Sequence, residues 1–220
     1  MVLRASCVAD ARDILDMHGA VVLPAHLFSM PQERIQILHD ELAASVGRRP
    51  EESGIGRYRV RPYDLDDDAF AFIRDHNAIQ QIITSIHGSS GWTWGRTGAD
   101  IAMPNANFMR LHSDWSTYDT CSMQYGYALS IHIATQDIEP DTAAFIFCLP
   151  EYRHSTATWG YPCKMEDELL DFRVPMKRGD VMIRGVRACH GGSSNKLDEI
   201  RPFPGIQIIS QQWREFIMSQ

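Results

Sequence analysis

Three segments of the chain hold side chains whose types and spacing suit metal chemistry. The first is His112-Ser113-Asp114, which closes the run Asn107-Phe108-Met109-Arg110-Leu111. In an extended backbone, residues two apart project to the same face, so the imidazole and the carboxylate can reach one ion. The second is His190, in the segment Gly179-Asp180-Val181-Met182-Ile183-Arg184 through Ala188-Cys189-His190-Gly191-Gly192. Two imidazoles and a carboxylate on one face of an octahedral ion leave three positions open, the arrangement that iron(II) uses to activate dioxygen without haem. The third is Arg201, which follows a polar connection from Gly191 to Glu199. A guanidinium there suits a carboxylate with two parallel hydrogen bonds, a geometry lysine cannot reproduce. These parts belong together chemically. 2-Oxoglutarate fills two iron positions, its far carboxylate needs a cation, and dioxygen (O2) takes the last position.

Each piece alone has an ordinary explanation. Nine histidines in an acidic chain make one His-x-Asp by chance unsurprising. A histidine before two glycines usually belongs to a turn or a core, and an arginine before a proline is usually solvated. Their joint order, on segments that read as strands, is what favours a site.

The elements that must position these residues fall into two parts. Val8 to Met17 reads as a short amphipathic helix ended near His18-Gly19, followed by a strand over Ala20-Val21-Val22-Leu23. Met30 to Val46 carries Ile35, Leu38, Leu42 and Val46 at helical spacing, with Pro31 in the first turn. A third helix is expected over Asp68 to Ile86, ended by Gly88-Ser89-Ser90-Gly91. From Trp92 the period changes, and strand-like runs recur over Ile101 to Arg110, Tyr125 to Ala134, Ala143 to Leu149, Val181 to Arg184 and Ile206 to Gln211. The expected fold is mainly β with N-terminal helices: a jelly roll of two sheets over about 91–215, buttressed by helices over about 1–90, in one domain spanning 1–220.

The stretch from His112 to Ser210 resembles the phytanoyl-CoA dioxygenase family of iron(II)- and 2-oxoglutarate-dependent oxygenases, a family that includes ectoine hydroxylase. The resemblance rests on His112-Ser113-Asp114-Trp115, on Leu149-Pro150-Glu151-Tyr152-Arg153-His154, on the Gly179-Asp180 turn, and on Arg187 to Asn195, which matches the family's R-x-x-H-G-x-x-x-N pattern. It implies a double-stranded β-helix fold with iron(II) held by His112, Asp114 and His190. It also implies 2-oxoglutarate held by Arg201, and oxidation of an unactivated C–H bond with release of succinate and carbon dioxide. The small hydroxyl residue often found two positions after the distal histidine is Gly192 here, so Ser193 or Ser194 stands in as a co-substrate contact.

Alternation from the metal ligands turns Arg110 and Arg184 toward the same pocket, which suits a small anionic or zwitterionic substrate. Trp115 and Tyr118 are placed to line its mouth, with Tyr125 or Tyr127 deeper, whereas His132 reads as packing or support for the ligands. Asp114 disfavours a halogenase, which needs a small residue there. The alternatives are a metal-dependent hydrolase, which leaves Arg201 without a role, and an inactive jelly-roll binding protein.

Composition narrows the partners. At 220 residues and 44% apolar content the chain can bury a core around an enclosed site. With 28 acidic against 21 basic residues and a net charge of −7, no basic stripe is set to meet nucleic acid or anionic lipid. Five cysteines without CxxC spacing suggest neither a disulfide framework nor a zinc knuckle, and a cytoplasmic location is expected. No apolar run approaches membrane-spanning length, and no signal peptide is evident.

Overall fold

The computed structural model describes residues 4–5, 7–46, 51–60, 67–88, 91–112, 114, 128–140, 142–147, 172–186 and 188–218. α1 (Ala11–His18) buries Ala11 and Leu15 and stops at Gly19, whose φ of 76° is left-handed and suits a residue without Cβ. β1 (Ala20–Leu23) follows at once. α2 (Gln32–Ser45) starts after Pro31 and buries Ile35, Leu38 and Leu42 along one face. Full burial of each such side chain contributes roughly 1.5–3 kcal/mol, enough for this face to hold the helix in place.

The single helix expected over 68–86 is in fact broken. A 3-10 turn (Asp67–Phe70) and α3 (Ala71–Arg74) are separated from α4 (Asn77–His87) by Asp75 and an extended His76. In an unbroken helix the six-residue step from Ile73 to Ile79 would rotate the second apolar group about 120° from the first. The break lets Phe70, Ile73, Ile79, Ile82 and Ile83 share one core. Gln80 then donates to the freed Arg74 carbonyl at 2.6 Å.

The supposedly helical part also contains a hairpin, β2 (Glu51–Gly54) and β3 (Arg57–Val60), turning at Gly56 with φ 70°. The run expected over 101–110 is likewise two strands, β4 (Trp92–Ala102) and β5 (Met109–His112), parted by a turn at Asn105. The remaining strands are β6 (Ala128–Ile133), β7 (Phe145–Phe147), β8 (Phe172–Val174), β9 (Val181–Gly185), β10 (His190–Gly192) and β11 (Arg201–Ser210). An unforeseen helix, α5 (Gln211–Met218), follows β11.

Two antiparallel sheets result, one ordered β1-β9-β6-β11-β4-β3-β2 and the other β5-β10-β7-β8. Strand alternation gives the large sheet two unlike faces. Leu129, Ile131, Ile133, Val181, Ile183, Ile206 and Ile208 pack with the helices in one apolar core. Ala20, Val22, Met182 and Phe203 face the other way and pack with Phe145, Phe147 and Val174 of the small sheet. This is a jelly roll of the double-stranded β-helix type, buttressed by helices on one outer face. Among the described residues, no helix is long and apolar enough to cross a membrane.

Candidate metal centre

β5 and β10 are antiparallel neighbours, with His112 directly opposite His190 and ring centres 4.6 Å apart. A one-residue slip would turn one imidazole to the opposite face, so register decides whether the pair can meet at an ion. Asp114, just past β5, is held by its backbone N–H, which donates to the Val186 carbonyl at 3.1 Å beyond the end of β9. Its Oδ1 lies 3.6 Å from His112 Nε2 and 3.5 Å from His190 Nε2. Ligand atoms of all three residues lie within 4.8 Å of one another.

The His190 tautomer follows from its surroundings. Its Nδ1 lies 2.7 Å from the Ala188 carbonyl, so that nitrogen carries the proton and Nε2 keeps its lone pair for a metal. Burial, with the Arg184 charge adding to it, lowers this imidazole to about 4 against the pull of Asp114. Burial tends to raise the Asp114 carboxyl, but Arg184 and the two histidines override it and hold the group well below the usual carboxylate range. Neutral imidazoles with an ionised carboxylate are the donor set a divalent cation requires, so these residues fit a metal.

Behind the ligands stands Arg184. Its Nη2 donates to Asp114 Oδ2 at 2.5 Å, and its Nε donates to His132 Nε2 at 3.3 Å. His132 stacks on Phe203, and Phe145 stacks on His190 with ring centres 5.0 Å apart. The guanidinium therefore lies against the Asp114 carboxylate, and its Nη1 is buried without a partner among the described residues.

Arg201 opens β11 and is 3% exposed. Its Nε is buried with no hydrogen-bond partner, and no ion pair satisfies it among the described residues. Burial, with the neighbouring Arg57 charge adding to it, lowers this guanidinium to about 9, against Asp100. A buried cation so poorly matched by the protein fits a carboxylate guest such as the far end of 2-oxoglutarate.

Arg57, which sequence reasoning missed, lies across Ala102 from Arg201 in strand register and is equally buried. It donates to the carbonyls of Asn107 at 2.7 Å, Gly192 at 3.1 Å, and Ser193, tying β3 to the segment that leads into β5 and to the end of β10. A Cβ at Gly192 would stand 2.7 Å from Arg57 Nη1, so this arginine accounts for the glycine there. A turn signal at Gly54-Ile55-Gly56 before alternating Arg57-Tyr58-Arg59-Val60 was present in the sequence and points to the hairpin that carries it.

Other expected positions take varied places. The Ser193 hydroxyl donates to the Pro140 carbonyl at 3.2 Å, and Ser194 beside it is half-buried. Arg110 lies on β5, but its side chain, like Trp115, Tyr118, Tyr125, Tyr127 and the segment Leu149 to His154, lies outside the described residues. Two motif positions serve folding. Asn195 donates to the Ala102, Met103 and Glu199 carbonyls. Asp180 accepts from Arg4 and from the backbone of Ala25 and Lys177. Cys189, next to His190, is disulfide-bonded, a single link rather than the complete framework that the odd cysteine count argues against.

No protein-family model matches the sequence, and no curated protein matches it either. Solved structures do match. HygX from Streptomyces hygroscopicus, with nickel and 2-oxoglutarate bound, superposes with a TM-score of 0.68 at 12% identity, over 90% of this chain and 85% of that one. SnoK, a non-haem α-ketoglutarate-dependent carbocyclase of nogalamycin biosynthesis, gives 0.70 at 15% identity, over 91% and 83%. The epimerase SnoN, in complex with Fe3+, α-ketoglutarate and nogalamycin RO, gives 0.69 at 15%, over 92% and 83%. The chain shares the fold of these enzymes. At such identities the likeness is one of architecture, and the ligands and reactions named are those of the neighbours.

Proposed function

We propose that this chain is a non-haem iron(II)- and 2-oxoglutarate-dependent oxygenase, with His112, Asp114 and His190 holding the iron and Arg201 the far carboxylate of 2-oxoglutarate. The observation that carries this is the convergence of Asp114 Oδ1 on both histidine Nε2 atoms. Iron and 2-oxoglutarate together would supply the oxidising power, drawing on dioxygen and releasing succinate and carbon dioxide. The protein's own part is to present neutral imidazoles, keep Asp114 ionised, and offer a buried cation to the co-substrate. The phytanoyl-CoA dioxygenase branch remains the proposed kinship, supported by the His-x-Asp and Arg187 to Asn195 motifs.

The substrate is proposed to be small and polar, with anionic or zwitterionic character. A cavity of about 310 Å3 reaches Asp114, Arg184 and His132 and is walled by Arg59, Arg96, Asp100, Ser130 and Gln207, with Phe203 on one side. Asp114 already neutralises much of the Arg184 charge, so a substrate anion meets Arg184 only through Nη1, with Arg59 and Arg96 as further cations. Arg110, Trp115, Tyr118 and Tyr127 stay in this proposal as substrate contacts. Hydroxylation is the outcome proposed; the carbocyclase and epimerase among the structural neighbours show that one fold serves several outcomes. The proposed setting is a single cytoplasmic domain acting on a small molecule.

The test is anaerobic titration of iron(II) and 2-oxoglutarate into the metal-free protein. A weak visible charge-transfer band is expected, followed on aeration by succinate release with a suitable polar metabolite. Iron binding that 2-oxoglutarate leaves spectroscopically unchanged would refute the assignment.

A further inference from the structure

We propose that Arg184 is a positioning residue that keeps Asp114 a one-oxygen ligand and so keeps one metal position open; this rests on the iron reading above. A carboxylate beside a divalent cation can bind through one oxygen or both. With both, two imidazoles and two oxygens occupy four of six positions, a chelating co-substrate takes the other two, and none remains for a further ligand. Here the two oxygens of Asp114 have different partners. Oδ1 faces His112 and His190, while Oδ2 is bonded to Arg184 Nη2 at 2.5 Å.

Arg184 is fixed in place. Its side chain is 5% exposed, its Nε is engaged by His132, and its Cζ lies 5.3 Å from the centre of the Phe145 ring. His132 stacks on Phe203 of the large sheet, and Phe145 belongs to the small one, so both sheets orient the guanidinium. Swinging Oδ2 onto the metal would strip Arg184 of the one carboxylate that it meets among the described residues, leaving a buried cation uncompensated there. The Asp114 backbone is tied to Val186 beyond the end of the same strand, which fixes the Cα from which the carboxylate reaches Arg184. Metal and arginine therefore divide the carboxylate between them.

The experiment compares wild type with Arg184→Met and Arg184→Lys, each loaded anaerobically with iron(II) and 2-oxoglutarate and exposed to nitric oxide as a probe of the last position. Folding is checked by thermal melting, iron content by chelator competition, and the nitrosyl by its electron paramagnetic resonance signal. Arg184→Met is expected to keep its iron while the nitrosyl signal falls about tenfold, and Arg184→Lys, which can still donate to Oδ2, to recover much of it. An undiminished signal in iron-loaded Arg184→Met overturns the proposal. A metal-loaded wild-type crystal structure decides independently of how the variants fold. Oδ1 on the metal with Oδ2 still on Arg184 supports the proposal, and both oxygens on the metal overturns it. Failure of wild type to bind iron and 2-oxoglutarate sinks the proposed function along with this inference, whereas normal binding with an unchanged Met variant sinks the inference alone.

Discussion

Asp114 Oδ2 is engaged by Arg184 and His190 Nδ1 by the Ala188 carbonyl, so substitutions at this candidate centre separate by which atom they remove. His112→Ala and His190→Ala delete donors that nothing nearby replaces, and each is expected to lower iron affinity about a hundredfold in equilibrium dialysis. Arg201→Lys keeps a charge but not the fork. Its 2-oxoglutarate affinity is expected to fall about tenfold by calorimetry on the nickel-loaded protein, with metal affinity unchanged. Asp114→Gly strands Arg184 as a buried cation beside an emptied space. Added formate is expected to raise the melting temperature of this variant and not that of wild type, and equal shifts in both would show that the cation finds another partner.

The connection between β10 and β11 depends on one side chain. Asn195 donates to the Ala102 and Met103 carbonyls where β4 ends and to that of Glu199, and so sets where β11 begins and where Arg201 emerges. Asn195→Ala leaves those carbonyls unmet and is expected to cost about 2–4 kcal/mol in urea denaturation, with 2-oxoglutarate binding weakened more than metal binding. The His112, Asp114 and His190 group was legible as a candidate because His112 and Asp114 are two apart at a strand end and because His190 sits in a motif. The division of labour behind it was not. The turn and alternation over Gly54 to Val60 point to a hairpin but not to the pairing with β4 that brings Arg57 to the site, and Arg184 reaches Asp114 from the opposite sheet. The step between Ile73 and Ile79 carried the clue to the helix break. The clue to α5 was shorter, Trp213, Phe216 and Ile217 at three-to-four spacing within only eight residues.

For the molecule as a whole, the acid side of its stability is set by imidazoles buried neutral. His87, at the end of α4, has both ring nitrogens buried without hydrogen-bond partners among the described residues, and burial lowers it from 6.5 to about 4. The unfolded chain takes up this proton near pH 6.5 while the native one refuses it until about pH 4. The contribution is therefore complete above 6.5, is lost as pH falls through that window, and changes no further below it; it amounts to roughly 3 kcal/mol in all. His190 acts in the same direction in the metal-free protein. His87→Leu is expected to be more stable below pH 6 and to flatten the acid limb by about one proton, read from urea midpoints at pH 7, 6 and 5. An unchanged slope would mean that another group governs it.

The place of Asp114 between the sheets has a mechanical side. Both histidines belong to the four-stranded sheet, whereas Asp114 hangs from the far end of β9 and is gripped by Arg184 of the seven-stranded one. An ion bound to all three would act as a rivet through the sandwich. Pulling the layers apart would then require breaking a coordination bond as well as parting side chains. Amide exchange along β5 and β10 should slow when metal is added, and by more than along β2 and β3, which the rivet does not touch.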